Sequence, residues 1–234
     1  MRLATVRGIP IRLHWSFFVL VLGLSWVGWQ AGALRGVLST LGVVAGLFAS
    51  VALHELGHAL TAARFGIRTA HITLYPFGGI AAIERMPSDA GQELAIALAG
   101  PAVNFALAAV AGWTWGATGS TFLLTLGAMN LVMGLFNLLP AFPMDGGRVL
   151  RARLSRRVGY LRATDVAIRI GRGFAWVFLI VGLVTWSPSL IMVGAFLHVA
   201  LTAERALLTR QTFVRWHAGL PFREGWARWS TRPS

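Results

Sequence analysis

Apolar residues run along this chain in long blocks that break at short intervals, near residues 15–33, 37–63, 94–116, 121–139, 173–186 and 189–203. Blocks of this kind fit helices that cross a bilayer, each of which needs about 20 apolar residues. The last two are short against a minimum of about 17. The fifth is therefore expected to be a longer helix from which Arg169 and Arg172 reach back to the interface. A re-entrant hairpin over the last two blocks is the competing reading, and either version returns the chain to the same side. The expected fold class is an all-α polytopic membrane protein with about six transmembrane helices.

Two stretches break the helical pattern. Residues 66–84 carry Gly66, Pro76, Gly78 and Gly79 and alternate through Ile67-Arg68 and His71-Ile72-Thr73-Leu74, which predicts a strand, a turn and a second strand. Residues 5–12 alternate around Val6, Ile9 and Ile11, which adds a third strand and makes a small sheet at the cytoplasmic face. From 147 to 162, Val149, Leu150, Leu154, Val158 and Leu161 recur at helical spacing between six arginines, a pattern for a basic interfacial helix. The domain reading is a membrane-embedded body over 1–209 and a basic, aromatic interfacial tail over 210–234, resting on anionic lipid.

Composition sharpens this picture. Of 234 residues, 56% are hydrophobic and 12% charged, too apolar for a soluble domain. A formal net charge of +13 would ordinarily suggest nucleic acid as a partner. Position argues otherwise. Every one of the 21 basic residues is Arg, and all but Arg35 fall within 2–12, 64–85, 148–172 and 205–232. If each apolar block crosses once, those four stretches share one side, which the positive-inside rule makes the cytoplasm. The expectation is thus a multi-pass cell-membrane protein with both termini cytoplasmic and no nucleic-acid partner. The basic start followed by an apolar run and Ala31-Gly32-Ala33 resembles a secretory signal, but the run exceeds the usual length of about 7–15 residues, so a retained first helix is expected. There is no cysteine, so a metal would have to be held by His and carboxylate.

The second block ends in His54-Glu55-Leu-Gly-His58, an H-E-x-x-H on a helix. Residues four apart share one helix face, so both imidazoles can reach one Zn²⁺ while Glu55 is placed to work on water beside it. Ionisable side chains in a spanning helix are costly and mark function, and within the first four blocks only this cluster is ionisable. Helix-to-helix hydrogen bonding could account for one buried His; it does not account for two His and a Glu at this spacing. The histidines at 14, 71, 198 and 217 have no partner at ligand spacing and read as interfacial or packing residues.

A catalytic zinc takes three protein ligands and keeps a position open. The only other acidic residue expected near spanning depth is Asp145, in Asn137-Leu-Leu-Pro140-Ala-Phe-Pro143-Met-Asp145-Gly146-Gly147. Two prolines and a glycine pair stop the fourth helix there, and an ordinary helix-ending turn is the alternative. Counting crossings sends the second and fourth blocks in the same direction, so both motifs converge on the cytoplasmic half of the bilayer.

These residues resemble the site-2 protease family of intramembrane zinc metalloproteases, in its six-helix prokaryotic branch. The resemblance covers about residues 7–205 and rests on the H-E-x-x-H, on Gly100-Pro101-Ala-Val-Asn104, on the Asn137–Gly147 motif and on Gly8-Ile-Pro-Ile-Arg-Leu-His14-Trp15. It implies one zinc per chain held by His54, His58 and Asp145, with Glu55 as the catalytic carboxylate. It implies cleavage of transmembrane or membrane-proximal peptide bonds, commonly in regulated proteolysis, with a membrane-protein segment as substrate and the bilayer as surroundings. No PDZ or CBS domain is expected in the chain. Asn104 and Asn137 are candidates to contact substrate or an oxyanion, or equally to tie helices together. The segment Phe77-Gly78-Gly79 is a candidate for receiving an unwound substrate by strand addition, or is a tight hairpin without that role. Other functions compatible with zinc are a transporter, a catalytically inactive membrane-protein-binding relative, and a peptidase for prenylated chains. A transporter should spread acidic or His residues along several helices, and an inactive relative should have lost Glu55; neither holds here.

Overall fold

The computed structural model describes residues 1–217 apart from Phe77, Met86 and Ser88, with side chains described as far as Ala206. Among the described residues are four strands, β1 (Arg2–Val6), β2 (Ile9–Leu13), β3 (Thr69–Tyr75) and β4 (Gly78–Ile83). The six helices are α1 (Ser16–Arg64), α2 (Ala90–Thr118), α3 (Thr121–Asn137), α4 (Asp145–Val158), α5 (Tyr160–Val184) and α6 (Pro188–His217). Four of these, α1, α2, α5 and α6, are long and apolar enough to cross a membrane by length and composition, and α3 is a shorter apolar helix. The expected predominance of helix with a small sheet is therefore found. The chain divides into two compact units: Met1–Pro87 with Leu98–Phe136, and Ser88–Ala97 with Asn137 onward.

In the first unit α1 is one continuous assignment of 49 residues, but Gly32 and Ala33 leave helical geometry, and Ala33 takes φ +48. Its two arms fold back on each other. Phe17 of the first arm meets Phe48 of the second edge-to-face at 4.5 Å, and Leu20, Val21 and Leu24 pack on the cluster that contains Val44 and Phe48. Such an aromatic pair adds about 0.5–1.5 kcal/mol beyond area burial. Close approach near the bend depends on glycine: a Cβ on Gly28 would lie 2.8 Å from Thr40 Oγ1 and 2.9 Å from the Gly36 carbonyl. The two apolar blocks read as separate helices are these two arms.

The sheet has the order β1-β2-β3-β4, with β2 and β3 parallel and the outer pairs antiparallel. Register places Ile11 opposite Ile72 and Leu13 opposite Leu74. Ile9, Ile11, Leu13, Ile72 and Leu74 are buried together with Leu56 and Ala59 of α1, so one face of the sheet packs on the second arm. The period-two pattern thus buries one face, as alternation requires. Residues 5–12, expected to form one strand, instead make a hairpin. Arg7 and Gly8 both have positive φ, +47 and +84, the geometry of a tight two-residue turn whose twist suits paired strands. The third expected strand is therefore two strands, and the sheet has four.

In the second unit α5 and α6 form a helical hairpin whose seam uses glycine: a Cβ on Gly194 would lie 2.9 Å from the Ala175 carbonyl, and one on Gly182 2.8 Å from the Ile191 amide. Arg169 and Arg172 lie within α5, so the fifth apolar block does belong to a longer helix. The basic helix expected over 147–162 stops at Val158, because Gly159 takes φ +82 and a new helix begins at Tyr160. The part of the 210–234 tail beyond His217 lies outside the described residues, as does Phe77.

Candidate functional site

His54, Glu55 and His58 stand on the second arm of α1, and both histidines are buried. Their Nε2 atoms lie 3.0 Å apart, with the rings edge-to-face at 4.7 Å. Helical geometry sets this meeting, since side chains at i and i+4 lie one above the other on the same face. Two Zn–N bonds of about 2.05 Å at a tetrahedral angle would separate the nitrogens by roughly 3.3 Å. The observed approach of the two Nε2 atoms is close to that spacing.

A hydrogen-bond chain runs away from the other side of His54. Its Nδ1 meets Asn104 Oδ1 at 2.5 Å, Asn104 Nδ2 donates to Asn130 Oδ1 at 2.9 Å, and Asn130 Nδ2 donates to Ser50 Oγ at 3.0 Å and to the Leu126 carbonyl at 2.9 Å. Ser50 Oγ donates in turn to the Gly46 carbonyl at 2.9 Å. Asn104 is fully buried and both ends of its amide are committed, to His54 and to Asn130. It stands behind the imidazole and ties α1 to α2.

Two glycines make room for these side chains. A Cβ on Gly100 of α2 would lie 2.6 Å from His54 Nε2 and would collide with the His58 ring. Beside it, a Cβ on Gly57 would lie 2.9 Å from the Ala99 carbonyl, so α1 and α2 meet here backbone to backbone. In β4, a Cβ on Gly79 would lie 3.1 Å from Glu55 Cδ and Oε1 and closer still to Cγ. The Glu55 carboxylate therefore rests on an edge strand of the sheet. Gly78, at φ +142, opens that strand opposite Tyr75.

In the second unit Asp145 is buried at the first turn of α4, with Arg148 Nη1 at 3.8 Å. A carboxylate there is favoured by the positive end of the helix dipole. The glycine pair that follows has a steric reason. A Cβ on Gly146 would collide with the Leu138 and Leu139 carbonyls, and one on Gly147 would lie 2.6 Å from the Ala141 carbonyl carbon, so the connection from Asn137 folds over the start of α4. Asn137 ends α3 and is half-buried.

The sequence profile of peptidase family M50 matches residues 42–120 and 112–180, a stretch that holds the H-E-x-x-H, Asn104 and the Asn137–Gly147 motif. The chain belongs to peptidase family M50. Its resemblance to site-2 proteases is thereby borne out. A zinc metalloprotease of Methanocaldococcus jannaschii is 38% identical over 223 residues, covering 92% of this chain and 63% of that protein. A putative zinc metalloprotease of Synechocystis is 36% identical over 198 residues, covering 78% and 52% respectively. The chain thus spans between about half and two thirds of these relatives' lengths. Among solved structures, the site-2 protease of Methanocaldococcus jannaschii matches with a TM-score of 0.69 at 38% identity, covering 87% of this chain and 94% of that one.

Four further buried residues of this M50 family member stand out in the structure: Ser50, Glu93, Asn130 and Arg151. Asn130 and Ser50 are buried amides and hydroxyls inside apolar runs, and a search for uncharged polar residues in those runs would have found both. Glu93 and Arg151 form a buried ion pair within the second unit, with Arg151 Nε to Glu93 Oε1 at 2.9 Å. Asp145 is therefore not the only further buried acid. Glu93 lies one residue before the apolar block at 94, and Arg151 sits among arginines read as an interfacial face. The guanidinium instead turns inward between the rings of Phe142, 4.8 Å away, and Tyr160, 4.7 Å away. Of the other histidines, His14 packs on Tyr75 and His198 on Trp176.

Proposed function

We propose that this chain is a zinc endopeptidase that cleaves transmembrane or membrane-proximal peptide bonds, in the setting of regulated intramembrane proteolysis. The observation that carries the reading is the 3.0 Å approach of the His54 and His58 Nε2 atoms in a niche walled by Gly100, with Glu55 on the same helix. Names of the relatives in two organisms add zinc and protease. His54, His58 and Asp145 each offer one ligand atom and each is buried, a donor set of two imidazoles and a carboxylate that suits zinc.

Zinc held there would polarise a carbonyl as a Lewis acid and lower the pKa of water to about 7. The chain's own residues do the rest. His54, with Asn104 accepting from Nδ1, presents the Nε2 lone pair. Glu55 accepts a proton from the attacking water and passes it to the leaving nitrogen as the C–N bond breaks. A helical substrate hides its carbonyls in its own hydrogen bonds and must unwind first. The edge strand β4, with Gly78 and Gly79 beside Glu55, offers backbone to such an extended segment. Asn137 is proposed to contact substrate, and Asn104 to position His54. We place six crossings in the two arms of α1 and in α2, α3, α5 and α6, with both termini cytoplasmic. Cys labelling at residues 5 and 225 from outside the cell would overturn that orientation.

The test is a pair of variants measured twice. Glu55→Gln should keep zinc and abolish cleavage of a membrane-protein substrate, because the amide fills the same volume but cannot take the proton. Asp145→Ala should lose zinc to a chelator more readily than Asn137→Ala. Zinc-dependent cleavage by Glu55→Gln, or parental zinc retention by Asp145→Ala, would show that those roles lie elsewhere.

A further inference from the structure

The chain from His54 to the backbone has a direction, and two groups that can only accept decide it. The Leu126 carbonyl accepts from Asn130, so the amide nitrogen of Asn130 must face it and Oδ1 must point the other way. The Gly46 carbonyl accepts the Ser50 hydroxyl proton, so Ser50 Oγ turns a lone pair to the same Asn130 nitrogen. With Oδ1 of Asn130 facing Asn104, the latter must supply its own nitrogen there, which leaves Asn104 Oδ1 against His54 Nδ1. An acceptor at that point requires the proton of a neutral His54 to sit on Nδ1. The orientation of each amide is thus derived from a fixed carbonyl instead of being chosen freely.

We propose that Asn130, which hydrogen-bonds Asn104 and not His54, is the positioning residue that locks the His54 tautomer. Ser50 is a secondary brace. This deepens the zinc reading above and rests on it in one respect, that His54 ligates through Nε2. The consequence is physical. Nε2 can serve as a ligand only when it lacks the proton, so the amide chain prepares His54 before any metal arrives. If the acceptor at 130 is removed, nothing holds the Asn104 nitrogen, the amide can rotate to donate to Nδ1, and the proton moves to Nε2. Asn104 then stabilises the form that cannot bind.

The residues are all buried, Asn104 and Asn130 almost completely, so water is poorly placed to substitute for a lost partner. Asn130→Leu removes both acceptor and donor with little change in bulk. Asn130→Asp keeps an acceptor toward Asn104. Ser50→Ala leaves the Leu126 anchor in place. The chain therefore predicts an order of effects that side-chain size alone does not.

The experiment uses purified full-length protein in detergent, labelled with ¹⁵N in histidine, and reads the His54 tautomer without metal and zinc affinity by chelator competition. Metal-free parent, Asn130→Asp and Ser50→Ala should show the Nδ1–H form, and zinc affinity should stay within about threefold of the parent. Asn130→Leu should shift His54 toward Nε2–H and weaken zinc by 10- to 100-fold, the range typical for partners of a metal ligand. A parent whose His54 carries its proton on Nε2 overturns the proposal, even if Asn130→Leu does not fold. So does an Asn130→Leu variant that folds, keeps the Nδ1–H form and binds zinc as the parent does. A parent with the Nδ1–H form that binds no zinc would leave the tautomer lock standing and sink the zinc reading instead.

Discussion

Glu55 rests directly on Gly79: a methyl group built there would lie 3.1 Å from the carboxylate's Cδ and Oε1 and would collide with Cγ. Real side chains almost never approach so closely, so Gly79→Ala must push Glu55 off its place or push β4 away from α1. Either movement would disturb Glu55, the proposed proton acceptor, without a direct clash at either histidine. Cleavage should therefore fall at least about 10-fold, given that misplacement by about 1 Å costs on the order of 100-fold. Zinc content should stay parental. Parental turnover in Gly79→Ala would mean that Glu55 has room to spare and that the close approach has no bearing on the reaction.

A different glycine sets the opposite split. Gly100 lies within α2, where alanine is the better helix former by about 0.8–1 kcal/mol, so propensity alone predicts a more stable protein on Gly100→Ala. The Cβ would however lie 2.6 Å from His54 Nε2 and would collide with the edge of the His58 ring at Nε2 and Cε1. His54 cannot retreat, because Asn104 holds its far side at 2.5 Å. We expect Gly100→Ala to lose zinc on dialysis and to drop cleavage at least about 100-fold while its unfolding temperature holds or rises. A zinc-replete Gly100→Ala would show that the niche between α1 and α2 is not where the metal sits.

These two glycines mark how far the sequence is legible. The H-E-x-x-H spacing by itself places His54 and His58 on one face with Glu55 one position round the helix, because helical periodicity needs no tertiary information. The same is true of the apolar blocks, whose lengths delimit the helices, and of the strand alternation at Ile72 and Leu74. What periodicity does not carry is which neighbour stands behind each side chain. Gly100 belongs to a motif in the sequence, but its reason, the ring of His58, lies in another helix. Asn130 is 26 residues from Asn104 and 80 from Ser50, so no local pattern links them. The turn at Arg7-Gly8 is hidden because alternation runs through it unbroken and a long side chain at φ +47 is unusual. Arg151 is hidden for a related reason: on a helix rich in arginine, composition describes the face as solvated, whereas this one guanidinium turns inward to Glu93.

That ion pair carries a last expectation. Arg151 and Glu93 are both buried, the guanidinium stacks between Phe142 and Tyr160, and Glu93 Oε2 and Arg151 Nη1 have no hydrogen-bond partner among the described residues. A pair left incompletely satisfied gains little over a hydrophobic replacement, since desolvation of two charges offsets their attraction. Loss of one member is another matter, because the remaining charge stays buried and alone. Glu93→Leu or Arg151→Met alone should thus destabilise by about 3–5 kcal/mol. At roughly 2–4 °C per kcal/mol for a chain of this size, that lowers the unfolding midpoint by about 6–20 °C. The double variant should recover most of the loss, with methionine filling the slot between the two rings. Thermal unfolding of the four proteins in one detergent measures this directly. A double variant that melts no higher than the worse single variant would mean that the charges themselves, and not merely their mutual neutralisation, hold α4 against the start of α2.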